Sequence, residues 1–144
     1  MKNIIAAIVI ATGLLGVEVK AQVVAPTLEV VTETQSWVRL KLTAGSEPIE
    51  GFSLYYQVPG RFYAMTQFYG TPVDPSCEVY QLNPGESVEV NIGKAQHHHQ
   101  VCRADFWPKP LYCNQSYLFQ AVPHNAGGPD GWSNTVEGTT APCL

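Results

Sequence analysis

Three consecutive histidines, His97, His98 and His99, stand five to three residues ahead of Cys102 in the stretch KAQHHHQVC. Imidazole and thiolate are zinc ligands, so the first question is whether these residues form a metal centre. In an extended chain successive side chains point to opposite sides, so three adjacent imidazoles do not converge on one ion. His97 and His99 share a side and offer a bidentate clip. A catalytic zinc needs three protein ligands and an open position, and the nearest carboxylate in sequence is Asp105. The expectation is a solvated loop, with a weak, non-catalytic metal site at His97 and His99 as the alternative. His124, Asp130 and Ser133 supply the residue types of a hydrolase triad within one short stretch, but no GxSxG context presents the serine at a strained turn, so they read as turn residues. The carboxylates are scattered, and Gly127-Gly128-Pro129 has no helix after it to make a phosphate loop. No catalytic residue, no cofactor and no enzymatic activity are expected.

The elements that must position these residues begin with a leader. Lys2 precedes an apolar run from Ile4 to Val17, and Val19 and Ala21 are the small residues a signal peptidase takes, so residues 1–21 read as a signal peptide cleaved after Ala21. A retained N-terminal anchor is the alternative. No later run is long and apolar enough to span a bilayer, so no membrane insertion is expected after cleavage. Residues 22–144 then make one domain. Removing Lys2, Lys20 and Glu18 with the leader takes the formal charge from −4 to −5, without a basic stripe, which argues against nucleic acid and anionic membranes as partners. All four cysteines, Cys77, Cys102, Cys113 and Cys143, lie in the exported part with no CxxC pair, so they read as two disulfides of open connectivity.

Short alternating stretches recur between Pro, Gly and Asn punctuation, and no helical period is present. Val38, Leu40 and Leu42 share one face of SWVRLKLT, with Trp37, Arg39 and Lys41 on the other. Phe52, Leu54, Tyr56 and Val58 alternate in the next segment, and a Pro59-Gly60 turn leads into RFYAMTQFY. Val88, Val90 and Ile92 oppose Ser87, Glu89 and Asn91; Tyr117, Phe119 and Ala121 alternate in SYLFQAV, and SNTVEGTT closes the chain. Six or seven strands with one apolar face each predict an all-β fold, a two-sheet antiparallel β-sandwich.

On these residues the chain resembles a fibronectin type III domain, over roughly residues 26–141. Pro26-Thr27-Leu28, Val38-x-Leu40-x-Leu42 and Ile49-x-Gly51-Phe52-x-Leu54-x-Tyr56 are similar to its first three strands. Leu111, Tyr117, Phe119, Ala121, Asn125, Gly128, Gly131 and Ser133 follow in the order of its sixth strand, hairpin and seventh strand. The resemblance implies an immunoglobulin-like, disulfide-stapled sandwich in which Tyr117, six residues after Leu111, is the tyrosine corner. It also implies a last hairpin centred near Gly128, from which Cys113 and Cys143 are each fifteen residues away. That pairing implies a Cys113–Cys143 bridge and leaves Cys77 with Cys102. Leu42 stands where the family usually has a buried tryptophan, and residues 70–85 and 93–112 are longer connections than the family needs.

Two features point to recognition. Asn114-x-Ser116 is a glycosylation sequon in a eukaryotic host. Aromatic residues are dense in Phe62, Tyr63, Phe68 and Tyr69, in Phe106 and Trp107, and at Trp132. Alternation puts Tyr63 and Tyr69 on one side of their strand, and with Trp107 and Trp132 they form the expected binding face, because exposed aromatics anchor proteins and sugar rings. The expected function is a secreted, non-enzymatic binding module with an extracellular protein or glycan as partner, periplasmic if the host is a Gram-negative bacterium. The alternatives are a metal-binding protein acting through His97 and His99, and a carbohydrate-binding accessory module.

Overall fold

A computed structural model describes residues 21–61, the backbone of 65–69, and residues 81–94, 110–124 and 131–144. Among the described residues seven strands run in chain order: β1 (Thr27–Glu33), β2 (Val38–Thr43), β3 (Phe52–Gln57), β4 (Met65–Tyr69), β5 (Ser87–Ile92), β6 (Ser116–Pro123) and β7 (Val136–Thr139). They form two antiparallel sheets, one of order β1-β2-β5 and one of order β4-β3-β6-β7. The fold is a two-sheet antiparallel β-sandwich, as the alternation predicts, with the immunoglobulin-like strand order that the resemblance implies.

One core fills the space between the sheets. Val38, Leu40 and Leu42 of β2 and Val90 and Ile92 of β5 are fully buried against Phe52, Leu54, Phe119 and Ala121 of β3 and β6. Leu42 takes its place in this core without a tryptophan, and Tyr56, Tyr117 and Phe119 pack ring against ring at one end of it. Beyond the end of β3, Arg61 donates its backbone N–H to the Val58 carbonyl over 3.1 Å, and Gly60 sits at φ +78°. This is a type II turn, in which proline presets the first central position and glycine alone accepts the second without strain.

The sheets are also stitched along one edge, where β1 lies beside β7. A bulge between Val30 and Thr32 in β1 breaks the pairing with β2. Beyond it the Glu33 carboxylate accepts the Thr139 N–H at 2.7 Å, and the Thr34 carbonyl accepts the Ala141 N–H at 3.0 Å. At the other end of this seam the Asn134 side-chain amide accepts from the Leu28 N–H at 2.8 Å and donates to the Leu28 carbonyl at 3.0 Å. A single amide thus replaces a backbone partner on both sides of one residue.

Two details differ from the pattern read along the chain. A hairpin centred on Gly128 puts Tyr117 opposite Thr139, whereas Tyr117 faces Gly138 and Phe119 faces Val136. The one-residue shift keeps Val136 and Gly138 on the inner face; a Cβ at 138 would meet the Phe119 ring at 3.0 Å. Alternation also puts Ser53 and Asn91 outward, yet they are only 4% and 5% exposed. Asn91 is covered by its strand neighbour Arg39, whose Nε donates to Asn91 Oδ1, and Ser53 by His124.

Candidate functional site

Strand β3 pairs with β6 so that Tyr55 stands opposite Gln120, and Gln57 opposite Leu118, on the outer face of the four-stranded sheet. Tyr55 is 38% exposed because its parity is opposite to that of Leu54 and Tyr56. Trp132 joins it from the segment leading to β7: the two rings are near parallel, 11° apart in plane, with centroids 6.2 Å apart, within the offset-stacked range. They border a groove of ≈ 230 Å³ lined also by Gln57, Leu118, Gln120 and Thr135.

Trp132 is held by the residues after it. Ser133 is buried; its N–H donates to the Ala121 carbonyl at 2.9 Å, and its hydroxyl accepts the Ala121 N–H and donates to the Asn134 carbonyl, both at 2.8 Å. Gln120 Nε2 donates to the Ser133 carbonyl at 3.0 Å, so one amide of the groove is oriented by the backbone beside the indole. Asn134 then clamps β1. An exposed aromatic is thereby fixed to two strands, which lowers the conformational entropy lost when a ligand is bound.

A second cluster lies at the opposite end of β6. Cys113 and Cys143 are joined in a disulfide with Cα atoms 5.2 Å apart. Asn114, at φ +51°, takes the left-handed conformation that asparagine tolerates, and its N–H reaches the Ala141 carbonyl. The Tyr117 hydroxyl accepts the Tyr112 N–H at 2.9 Å, while the Thr140 hydroxyl donates to the Tyr112 carbonyl at 2.6 Å. Both backbone groups of Tyr112 are thus satisfied by side chains. Leu111 is buried under this corner. Burial, and then the neighbouring Tyr117 phenol, raise the Tyr56 phenol above its ordinary range. Asn114 is exposed, and Ser116 of its sequon shares a hydrogen bond with Thr139.

Ser133 directs its hydroxyl to a carbonyl, Asp130 lies outside the described residues, and His124 Nε2 lies 2.9 Å from Ser53 Oγ. With Ser53 closed to solvent, this pair links the ends of β3 and β6 and presents no nucleophile. Burial lowers the His124 pKa below its ordinary value. On the outer face of the three-stranded sheet, Trp37 lies under two cations, with Lys94 Nζ 4.8 Å and the Arg39 guanidinium 5.5 Å from its ring centre. Arg39 also approaches Glu89, and Lys41 pairs with Glu29, so that face is laced with charge.

Of the residues singled out from sequence, His97, His99, Cys77, Cys102, Tyr63 and Trp107 lie outside the described residues. Tyr69 ends β4, whose backbone pairs it with Phe52. Among the described residues no three His, Cys, Asp or Glu side chains gather as a metal site, and no helix is long and apolar enough to cross a membrane. Tyr55 escaped the sequence reading. Its outward parity was visible, but its meeting with Trp132 depends on the pairing of β3 with β6.

No protein-family model matches the chain, and no curated protein matches it in sequence. Among solved structures, a chain of the archaellum periplasmic stator protein complex FlaF and FlaG from Sulfolobus acidocaldarius is similar at a TM-score of 0.45 and 18% identity, over 82% of this chain and 91% of that one. A likeness this distant carries no functional conclusion.

Proposed function

We propose that the chain is a secreted, non-enzymatic recognition module of fibronectin type III type, using the outer face of the four-stranded sheet around Tyr55 and Trp132 as its contact surface. The observation that carries this reading is the exposed, near-parallel aromatic pair on a backbone pinned by Ser133 and Asn134. Exposed tyrosine and tryptophan dominate binding energetics out of proportion to their number. The family assignment is supported by the strand order, with the fourth strand beside the third, and by the Tyr117 hydrogen bond across the corner above Leu111. The Cys113–Cys143 bridge supports an oxidising, extracytoplasmic location for residues 22–144.

The test is retention of extracellular proteins and polysaccharides by the immobilised mature protein, compared with a Tyr55→Ala/Trp132→Ala variant of unchanged circular dichroism. The reading expects the retained species to be lost in the double variant. It fails if retention survives that variant and instead requires a divalent metal together with His97 and His99, or if the protein turns over a retained substrate.

A further inference from the structure

Resting on the contact surface just described, we infer that the Tyr55–Trp132 groove is a binding site for a neutral oligosaccharide. Among the described residues, none that line it carries a charge. Besides the buried Tyr56 and Phe119, the lining combines the half-exposed Tyr55 and Trp132 with two amide residues, Gln57 and Gln120, the hydroxyl-bearing Thr135 and the aliphatic Leu118. A pyranose ring has this divided chemistry: axial C–H bonds that lie against an aromatic face, and equatorial hydroxyls that exchange hydrogen bonds with amides.

Charge separates this occupant from the others. The outer face of the opposite sheet carries Arg39, Lys41, Glu29, Glu89 and Lys94 in pairs or over Trp37, whereas the described residues of the groove offer no cation to a sulfated or carboxylated sugar. The charged residue nearest in register on the groove's own face is Glu137, opposite Leu118, which disfavours an anionic ligand further. A protein partner of standard size would need a contact broader than one pair of rings and its rim.

The experiment uses the secreted, disulfide-intact protein, an array of neutral oligosaccharides built from hexose and N-acetylhexosamine units, and heparin-derived oligosaccharides as the anionic comparison. Hits are titrated by calorimetry. Saturable binding of a neutral oligosaccharide is expected, weakened about 30-fold or more by Tyr55→Ala and by Trp132→Ala. Trp37→Ala, on the opposite sheet, is expected to leave it unchanged. No neutral binder on the array, a preference for the heparin fragments, or binding insensitive to both groove substitutions overturns the inference. Because Tyr55 packs outside the core, a fold-preserving Tyr55→Thr variant, checked by thermal melting, provides a second reading of the same loss. Loss of a protein partner in the Tyr55→Ala/Trp132→Ala variant with no sugar bound would refute the sugar assignment alone and leave the recognition surface standing.

Discussion

Replacing Tyr117 by Phe removes one oxygen atom and leaves the ring packing in place. That oxygen accepts the Tyr112 N–H at 2.9 Å, and the neighbouring Tyr112 carbonyl is held by Thr140, so the segment cannot turn to find another acceptor without losing a second bond. A backbone donor left unsatisfied in a part-buried site costs about 1–3 kcal/mol. Taking ~2 kcal/mol, a domain of this size should melt lower by roughly 6–10 °C. Urea unfolding monitored by tryptophan fluorescence should show a lower midpoint at an unchanged slope, since the surface exposed on unfolding is the same. Repeating the substitution in a Cys113→Ser/Cys143→Ser background isolates the corner, because the disulfide anchors the same turn and coupling above about 0.5 kcal/mol is expected for neighbours sharing a backbone segment. A loss below about 0.5 kcal/mol in the oxidised protein would mean that the Tyr112 N–H is satisfied without Tyr117 and that the corner is not held by this bond.

Other perturbations follow from the same contacts. Removing the Cys113–Cys143 bridge, which spans a sequence separation of 30, should cost about 3–4 kcal/mol in chemical denaturation on the loop-entropy estimate. Asn134→Ala leaves the Leu28 N–H and carbonyl without their amide partner, and a loss of about 1–3 kcal/mol with faster hydrogen exchange at Leu28 is expected. Gly138→Val, whose added Cβ alone meets Phe119 at 3.0 Å and Val30 at 3.4 Å, should overpack the core by about 1–3 kcal/mol in the same denaturation assay. The His124 contribution is pH-dependent: its folded pKa lies below the ordinary 6.5, so the unfolded chain binds the proton first. Its stabilising contribution is complete above that value and declines as pH falls from 6.5 through the lowered folded pKa; melting temperatures across pH 5–8 should show this slope reduced in His124→Gln.

The core was legible because burial is written locally. Val38, Leu40 and Leu42, or Tyr117, Phe119 and Ala121, alternate within a few residues and need no knowledge of their partners. Residues that bridge distant segments were not legible. Asn134, within the closing segment SNTVEGTT, and Glu33 carry no local sign of a partner; only the approach of β7 to β1 gives them Leu28 and Thr139. Ser53 and Asn91 read as outward polar positions, and their burial arises from His124, just past the end of β6, and from Arg39 of β2. The register slip at Tyr117 has the same origin: counting outward from Gly128 could not register that a Cβ at 138 would crowd the Phe119 ring at 3.0 Å. At the groove, Trp132 was recognisable as an exposed aromatic, whereas Tyr55, 77 positions earlier, becomes its neighbour only through the β3–β6 ladder.

The most direct test of recognition at this face is a nitrogen-edited NMR titration of the labelled mature protein with the oligosaccharide that binds best. The amides of Tyr55, Gln57, Leu118 and Gln120 and the Trp132 indole N–H should shift together and saturate at one affinity. Shifts confined to the Trp37 face of the opposite sheet, or to the histidine stretch at 97–99, would contradict a contact surface at Tyr55 and Trp132.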